Sequence, residues 1–251
     1  MPIEKLYSEV VRELEKRADA KIASRKKLMW HKEPGYRSYG IRTPELRAPI
    51  KSYLGRFERL SLEERLELAR MFYRSGFSEQ AGFGHTLLEL SFGGITPSRF
   101  GFLDEVVGYF NNWATIDWFC IRVLQPLLRK YPQETLNLVR EWNSSENMWK
   151  RRASVVVFVR KIGEGVEFVN EALELCDNLI WDEEDLVQKG VGWVLKDNMR
   201  GNKEKVLDYV KALRLKGAPS TIILYAIRGL KGEEREEVLK IKNRAESNRS
   251  K

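Results

Sequence analysis

Trp113 and Asp117 stand four residues apart in the stretch Asn-Asn-Trp-Ala-Thr-Ile-Asp-Trp, a spacing that puts an indole and a carboxylate on one helix face. Two later stretches carry related groups: Trp149 with Lys150, Arg151 and Arg152 in Met-Trp-Lys-Arg-Arg, and Trp193 in Gln-Lys-Gly-Val-Gly-Trp. A carboxylate between aromatic faces suits stabilisation of a transient cation, and the arginines suit a phosphate. Plainer explanations compete with each feature, since a helix tryptophan is usually core and a lone aspartate is often a cap. Asp117 lies too far past the helix start expected at Asn111 or Asn112 for capping to be persuasive.

Lys189, Trp193, Lys196 and Arg200 fall at i, i+4, i+7 and i+11 and form one helical stripe, opposite Leu186, Val187, Gly190, Val194 and Leu195. Such a stripe can track phosphates beside a flat ring, or it can be a cationic surface covering a half-buried tryptophan. Lys150, Arg151 and Arg152 crowd the first turn of their helix, which the macrodipole disfavours by ~0.3–1 kcal/mol per charge. A phosphate drawn to that helix end would supply a reason for the placement. So would pairing of Arg152 with a carboxylate of the neighbouring helix, Asp117 included.

The elements that must position these residues are helices. Apolar spacing of three to four residues predicts helices over Val10–Ala23, Glu63–Arg74, Glu79–Leu90, Phe102–Tyr109, Trp118–Lys130, Pro132–Trp142, Asn147–Ile162, Val166–Leu175, Glu183–Asn198 and Lys203–Leu213. No stretch alternates as a strand does; the β-branched run Val155–Val159 reads as buried helix. Trp113 to Trp149 is 36 residues and Trp149 to Trp193 is 44, bracketing the ~40–47 of HEAT-type repeats. Stacked helix pairs of that kind present side chains from successive repeats along one concave face. The expected fold is therefore all-α, an α-solenoid of five or six helix pairs, with residues 1–240 as one repeat domain and 241–251 as a polar tail.

Among 251 residues the net charge is +8. Residues 1–60 hold 15 Lys and Arg against 8 Asp and Glu, leaving 29 against 28 in the remainder. A basic N-terminal third points to an anionic partner, nucleic acid before an acidic membrane surface. No apolar run approaches the ~20 residues of a membrane span, and the start lacks the apolar core of a signal peptide. Cys120 and Cys176 are isolated among apolar residues, so a reducing, cytoplasmic setting is expected. His31 and His85 are the only histidines, no Cys/His spacing suits zinc, and neither a phosphate loop nor a nucleophile elbow is present. No metal and no cofactor are expected, His85 reads as a packed helix residue, and nothing favours a Schiff base at Lys189.

Four motifs in register resemble the AlkD-type alkylpurine DNA glycosylases. They are Gly40-Ile-Arg-Thr-Pro-Glu-Leu-Arg47, Trp113-Ala-Thr-Ile-Asp117, Glu146-Asn-Met-Trp-Lys-Arg-Arg152-Ala153 and Gln188-Lys-Gly-Val-Gly-Trp193, and the likeness spans roughly residues 25–230. The resemblance implies a right-handed HEAT-like solenoid holding duplex DNA in a concave basic groove and removing cationic purines such as 3-methyladenine and 7-methylguanine. It assigns Asp117 as the catalytic carboxylate, Trp113 and Trp193 as aromatic residues flanking the lesion's sugar, and Arg152 as the arginine near the backbone. It also implies catalysis without flipping the base into a pocket, unlike most glycosylases. The sequence departs from the family between Trp30 and Tyr39, at Pro34-Gly35, so Trp30 is only a candidate for the family's N-terminal aromatic contact.

On this reading Asp117 stabilises the oxocarbenium-like charge on the sugar and orients water, with Trp113, Trp193 and Arg152 completing the catalytic group. Trp149, Lys150, Arg151, Lys189, Lys196 and Arg200 bind double-stranded DNA containing alkylated purines, and the protein acts as a nucleoid-associated monomer, away from membranes. Two rivals share the fold: a non-catalytic HEAT-repeat binder of distorted or branched DNA, and a protein-binding solenoid scaffold.

Overall fold

The computed structural model of the chain describes residues 2–29, 33 and 35–241. These residues are helical, and apart from an isolated bridge between Arg37 and Phe77 they contain no strand. No described helix is long and apolar enough to cross a membrane. Two compact units result, Met1–Tyr131 and Pro132–Lys251, where the sequence reading takes residues 1–240 together. Trp30, His31 and Pro34 lie outside the described residues, as does the expected tail beyond Ile241.

The first unit comprises α1 (Ile3–Lys16), α2 (Ala20–Met29), α3 (Thr43–Phe57), α4 (Leu62–Arg74), α5 (Ser78–Leu90), α6 (Phe100–Val107), α7 (Trp113–Phe119) and α8 (Gln125–Lys130). The helix expected over Val10–Ala23 is instead two. Asp19 Oδ1 accepts from the Lys21 and Ile22 N–H groups, 2.9 and 3.0 Å away, and so caps a fresh helix. The sequence reading missed α3, whose two prolines and one glycine disguise its period. Helix α4 packs on α5, and α1, α3 and α7 pack against this pair. Their shared core includes Phe57, Leu68, Phe72, Phe83 and Leu87, all fully buried.

Glu79, 2% exposed in the first turn of α5, ties down the segment between α2 and α3. Its carboxylate accepts from Ser38 Oγ (2.6 Å) and from the Tyr39 and Ile41 N–H groups (3.1 and 3.2 Å), with Lys26 Nζ at 3.3 Å. Gly40 lies inside this loop at φ 84°, and a methyl group on it would sit 2.1 Å from the Asp19 carbonyl oxygen. Only glycine fits both the left-handed backbone and the contact. The Gly40–Arg47 motif thus reads physically as a tight turn followed by the start of α3, with Arg42 N–H donating to Glu45 Oε2.

The second unit comprises α9 (Pro132–Asn143), α10 (Met148–Val156), α11 (Val169–Asn178), α12 (Asp185–Asn198), α13 (Lys203–Lys216), α14 (Ser220–Ala226) and α15 (Gly232–Lys240). It is built of paired helices. Helices α9 and α10, α11 and α12, and α13 and α14 pack as pairs, while α10, α12 and α14 lie side by side in one row. One glycine of α12 makes that row close: a methyl group on Gly192 would sit 2.6 Å from Tyr225 Cβ of α14, whereas one on Gly190 would make ordinary contacts at 3.4 Å with Arg152 Nη1 and Val156 Cγ2 of α10.

Helix α10 stops at Val156, short of the expected Ile162. The Asn198 side-chain amide donates to the Phe158 carbonyl (3.0 Å), and the Arg160 N–H donates to Asp197 Oδ2 (2.7 Å). The end of α12 therefore captures backbone groups that a longer α10 would have used itself, while Val155–Val159 stay buried. Helices α14 and α15 were also missed: one is seven residues long, and the other buries only Val238 and so carries no apolar period.

Replacing Glu79 by Ala strands several buried donors at once. We expect a loss of about 3–5 kcal/mol, read as a lower urea midpoint at unchanged slope; a loss under about 1 kcal/mol would contradict the anchoring role.

Candidate functional site

Helix α7 starts where the sequence places it. Asn112 Oδ1 accepts from the Thr115 N–H at 2.9 Å, which satisfies one of the free donors of the first turn. A second acceptor comes from a residue that sequence reading passed over. Glu33, 6% exposed, accepts the Trp113 N–H on Oε2 at 3.0 Å. The preceding Asn111 amide donates to the Gly35 and Gly76 carbonyls. These bonds fix the first residue of α7, whose indole is 41% exposed, while Asp117 one turn later is 6% exposed. The arrangement gives a presented aromatic face above a mostly buried carboxylate.

Directly after α7 the helix widens into a π turn over Cys120–Leu124, where the Gln125 N–H donates to the Cys120 carbonyl. Pro126 is the cause: it has no N–H for the Arg122 carbonyl and its ring crowds the turn before it. Such turns recur at functional sites, and here one begins three residues beyond Asp117.

His85 lies beneath α7 at 2% exposure. Its Nε2 is 3.0 Å from the Thr115 carbonyl, and its Nδ1 is 2.6 Å from the Ala81 carbonyl and 3.1 Å from the Tyr73 hydroxyl. It packs between helices as the sequence reading expects. Burial pushes its pKa below the ordinary 6.5, partly opposed by the Thr115 and Ala81 carbonyls.

In the second unit the Met-Trp-Lys-Arg-Arg motif turns out to be mainly internal. Trp149, expected on a DNA-binding surface, is 9% exposed and packs in the core. Arg151 is committed too: Nε and Nη2 donate to Asp182 at 2.6 and 3.3 Å, and Nη1 donates to the Ser145 and Glu146 carbonyls at 2.9 Å. That network is the local reason for a first-turn cation which the macrodipole argument could not find. Arg152, 5% exposed, lies along Gly190 and donates to the Leu186 carbonyl in the first turn of α12. Lys150 remains half-buried on the same turn.

Lys189, Trp193 and Lys196 of the expected stripe lie on α12, and Arg200 lies two residues past its end. Lys189, Trp193 and Lys196 are half-buried and Arg200 is exposed. Each cation has a carboxylate partner: Asp185 for Lys189 (2.7 Å), Asp197 for Lys196 (3.1 Å) and Glu164 for Arg200 (2.6 Å). Trp193 has two cations over its ring, Lys196 Nζ at 6.0 Å and Arg160 Cζ at 5.8 Å from the centroid. Arg160 was hidden from sequence reading by the overlong α10. It is the one non-glycine with positive φ (54°) among the described residues, a conformation costing about 1–3 kcal/mol. The buried Asp197 carboxylate and the Asn198 amide hold that turn in place.

Among the described residues no three His, Cys, Asp or Glu side chains are grouped to hold a metal ion.

If His85 must stay neutral when folded, its contribution to stability is present above pH 6.5 and is lost as pH falls below it toward the depressed folded value. The denaturant-derived stability of the wild type should fall below pH 6.5 with a slope of up to about 1.4 kcal/mol per pH unit, and His85→Gln should flatten that slope. Equal slopes would refute the assignment.

A model of the family described as DNA alkylation repair enzyme matches residues 10–230 of the chain. Among solved structures, one described as a predicted DNA alkylation repair enzyme from Enterococcus faecalis superposes with a TM-score of 0.74 at 16% identity. The match covers 85% of this chain and 96% of that one, a likeness of fold. No curated protein matches.

Proposed function

Because the chain belongs to the DNA alkylation repair enzyme family, we propose that it is a monofunctional DNA glycosylase, hydrolysing the N-glycosidic bond of cationic N3- or N7-alkylated purines in duplex DNA. The observation that carries this reading is the pair on α7: an exposed Trp113 indole above a buried Asp117 carboxylate, just before a π turn.

Alkylation at N3 or N7 makes the purine a cation and hence a good leaving group. As the bond from C1′ to the purine nitrogen stretches, its electron pair goes to the base, which becomes neutral, and positive charge moves to the sugar. Asp117 stabilises that charge and orients the water whose oxygen bonds C1′, the proton passing to the carboxylate or to solvent. Trp113 and Trp193 offer π faces to the cationic sugar, each worth ~0.5–2 kcal/mol. Arg152 is a positioning residue: its hold on the first turn of α12 sets the helix that carries Trp193 two turns on.

Lys150, Lys189, Lys196 and Arg200 take the DNA phosphates, exchanging carboxylate partners for phosphate oxygens where they have them. The protein acts as a monomer, without metal or cofactor.

Asp117→Asn should lower single-turnover release of 7-methylguanine from methylated duplex DNA by about 10²–10³-fold, with little change in DNA affinity. Release at the wild-type rate would defeat the catalytic assignment. A folded wild type that frees no base but binds DNA would instead favour the non-catalytic binder. Affinity insensitive to salt between 50 and 200 mM would favour the protein scaffold.

A further inference from the structure

The cation–ring contacts at Trp193 do not end there. Lys196 Nζ lies 5.6 Å from the centre of the Tyr225 ring on α14, and Arg228 Cζ lies 4.3 Å from the centre of the same ring. Together with Arg160 over Trp193, the order is Arg160, Trp193, Lys196, Tyr225, Arg228: three cations alternating with two aromatic rings. The ladder crosses the row α10, α12, α14, taking one cation from the turn after α10, one from α12 and one from the turn after α14. Both rings are half-buried, and Arg160 and Arg228 are exposed.

We propose that this ladder is a second nucleic-acid contact, gripping the sugar–phosphate backbone of one DNA strand on the side of Trp193 that leads to α14. The inference rests on the repair reading above but adds Arg160, Tyr225 and Arg228 to it. A guanidinium stacked on a ring uses its π face and keeps its in-plane N–H donors for another partner. Among the described residues no carboxylate pairs with either guanidinium. Neighbouring helices lie about 8–10 Å apart, on the scale of the spacing between neighbouring phosphates along one strand, so successive rungs meet phosphates one to two nucleotides apart.

A second feature points the same way. Beside the ladder, sharing Lys196, lies a cavity of about 440 Å³ lined also by Arg200, Lys203 and Lys231, with Glu234 as its one lining carboxylate. Glu234 pairs with Lys203, and Lys196 and Arg200 pair with Asp197 and Glu164, which do not line the cavity. Among the described residues Lys231 is therefore the lining cation with no carboxylate partner, where the ladder reaches the end of α14.

Gly192 and Asp197 build the ladder without touching a ligand. The first lets Tyr225 approach α12, and the second holds Arg160 in its left-handed turn.

The test is binding of a fluorescently labelled, undamaged DNA duplex between 50 and 200 mM salt, with thermal melting to confirm that each variant is folded. Arg228→Ala should lower the slope of log affinity against log salt by about 0.9, and Arg160→Ala with Arg228→Ala by about twice that. Arg228→Lys should restore most of the slope. Tyr225→Ala should weaken binding about 2- to 30-fold, and Tyr225→Phe should not. Arg140→Ala is the control for net charge, because Arg140 pairs with Glu174 across α9 and α11 and lies off the ladder. Slopes unchanged from wild type in the ladder variants, or an equal drop in the control, would overturn the proposal. The two readings fail separately: a wild type that excises 7-methylguanine while the ladder variants keep its slope sinks only the ladder. A wild type that binds through the ladder but frees no base sinks only the glycosylase.

Discussion

The approach of α14 to α12 depends on one absent side chain, at Gly192, which admits Tyr225. Trp193 follows immediately, so the residue presented by the row is placed beside the residue that lets the row close. Glycine in a helix interior costs roughly 0.5–1 kcal/mol relative to alanine. Gly192 makes sense there only if the packing it permits returns more than that.

The first unit solves the equivalent problem with buried carboxylates. Glu79 gathers the loop before α3 onto α5, and Glu33 holds the first residue of α7. Both are acids with backbone N–H groups as partners, which converts an otherwise expensive burial into defined loop geometry. The His85 ring links α5 to the Thr115 carbonyl in the same region. Trp113 and Asp117 thus stand on a short helix whose start and underside are both fixed.

Long amphipathic helices were legible in the sequence, since α4, α5, α9, α11, α12 and α13 all show their period. The α12 stripe was legible for the same reason, as was the Asn112 start of α7. What failed to show was anything set by partners distant in sequence. Val155–Val159 reads as continuous helix because nothing local says that Asp197 and Asn198 will claim its backbone groups. Arg151 looks like a free cation until Asp182, 31 residues on, is brought to it. Tyr225 and Arg228 have no period or motif to mark them, and only the closeness of α12 and α14 joins them to Trp193. Helix α3 was concealed by Pro44 and Pro49, which sequence reading takes as breaks, although the structure tolerates both, one in the first turn.

The π turn after Asp117 has a geometric effect on everything around it. One additional residue in a turn rotates the helix behind it by about 100° relative to an unbroken α-helix. Val123, Leu124, Leu127 and Leu128, all buried, therefore belong to a stripe out of phase with the one that would pass through Trp113 and Asp117. The core can dictate the apolar positions of α8 without dictating which side chains α7 turns outward. A helical wheel drawn unbroken through the whole stretch from 113 to 130 would place the exposed Trp113 on the same face as the buried Leu124 and Leu128, and the extra residue of the π turn separates them.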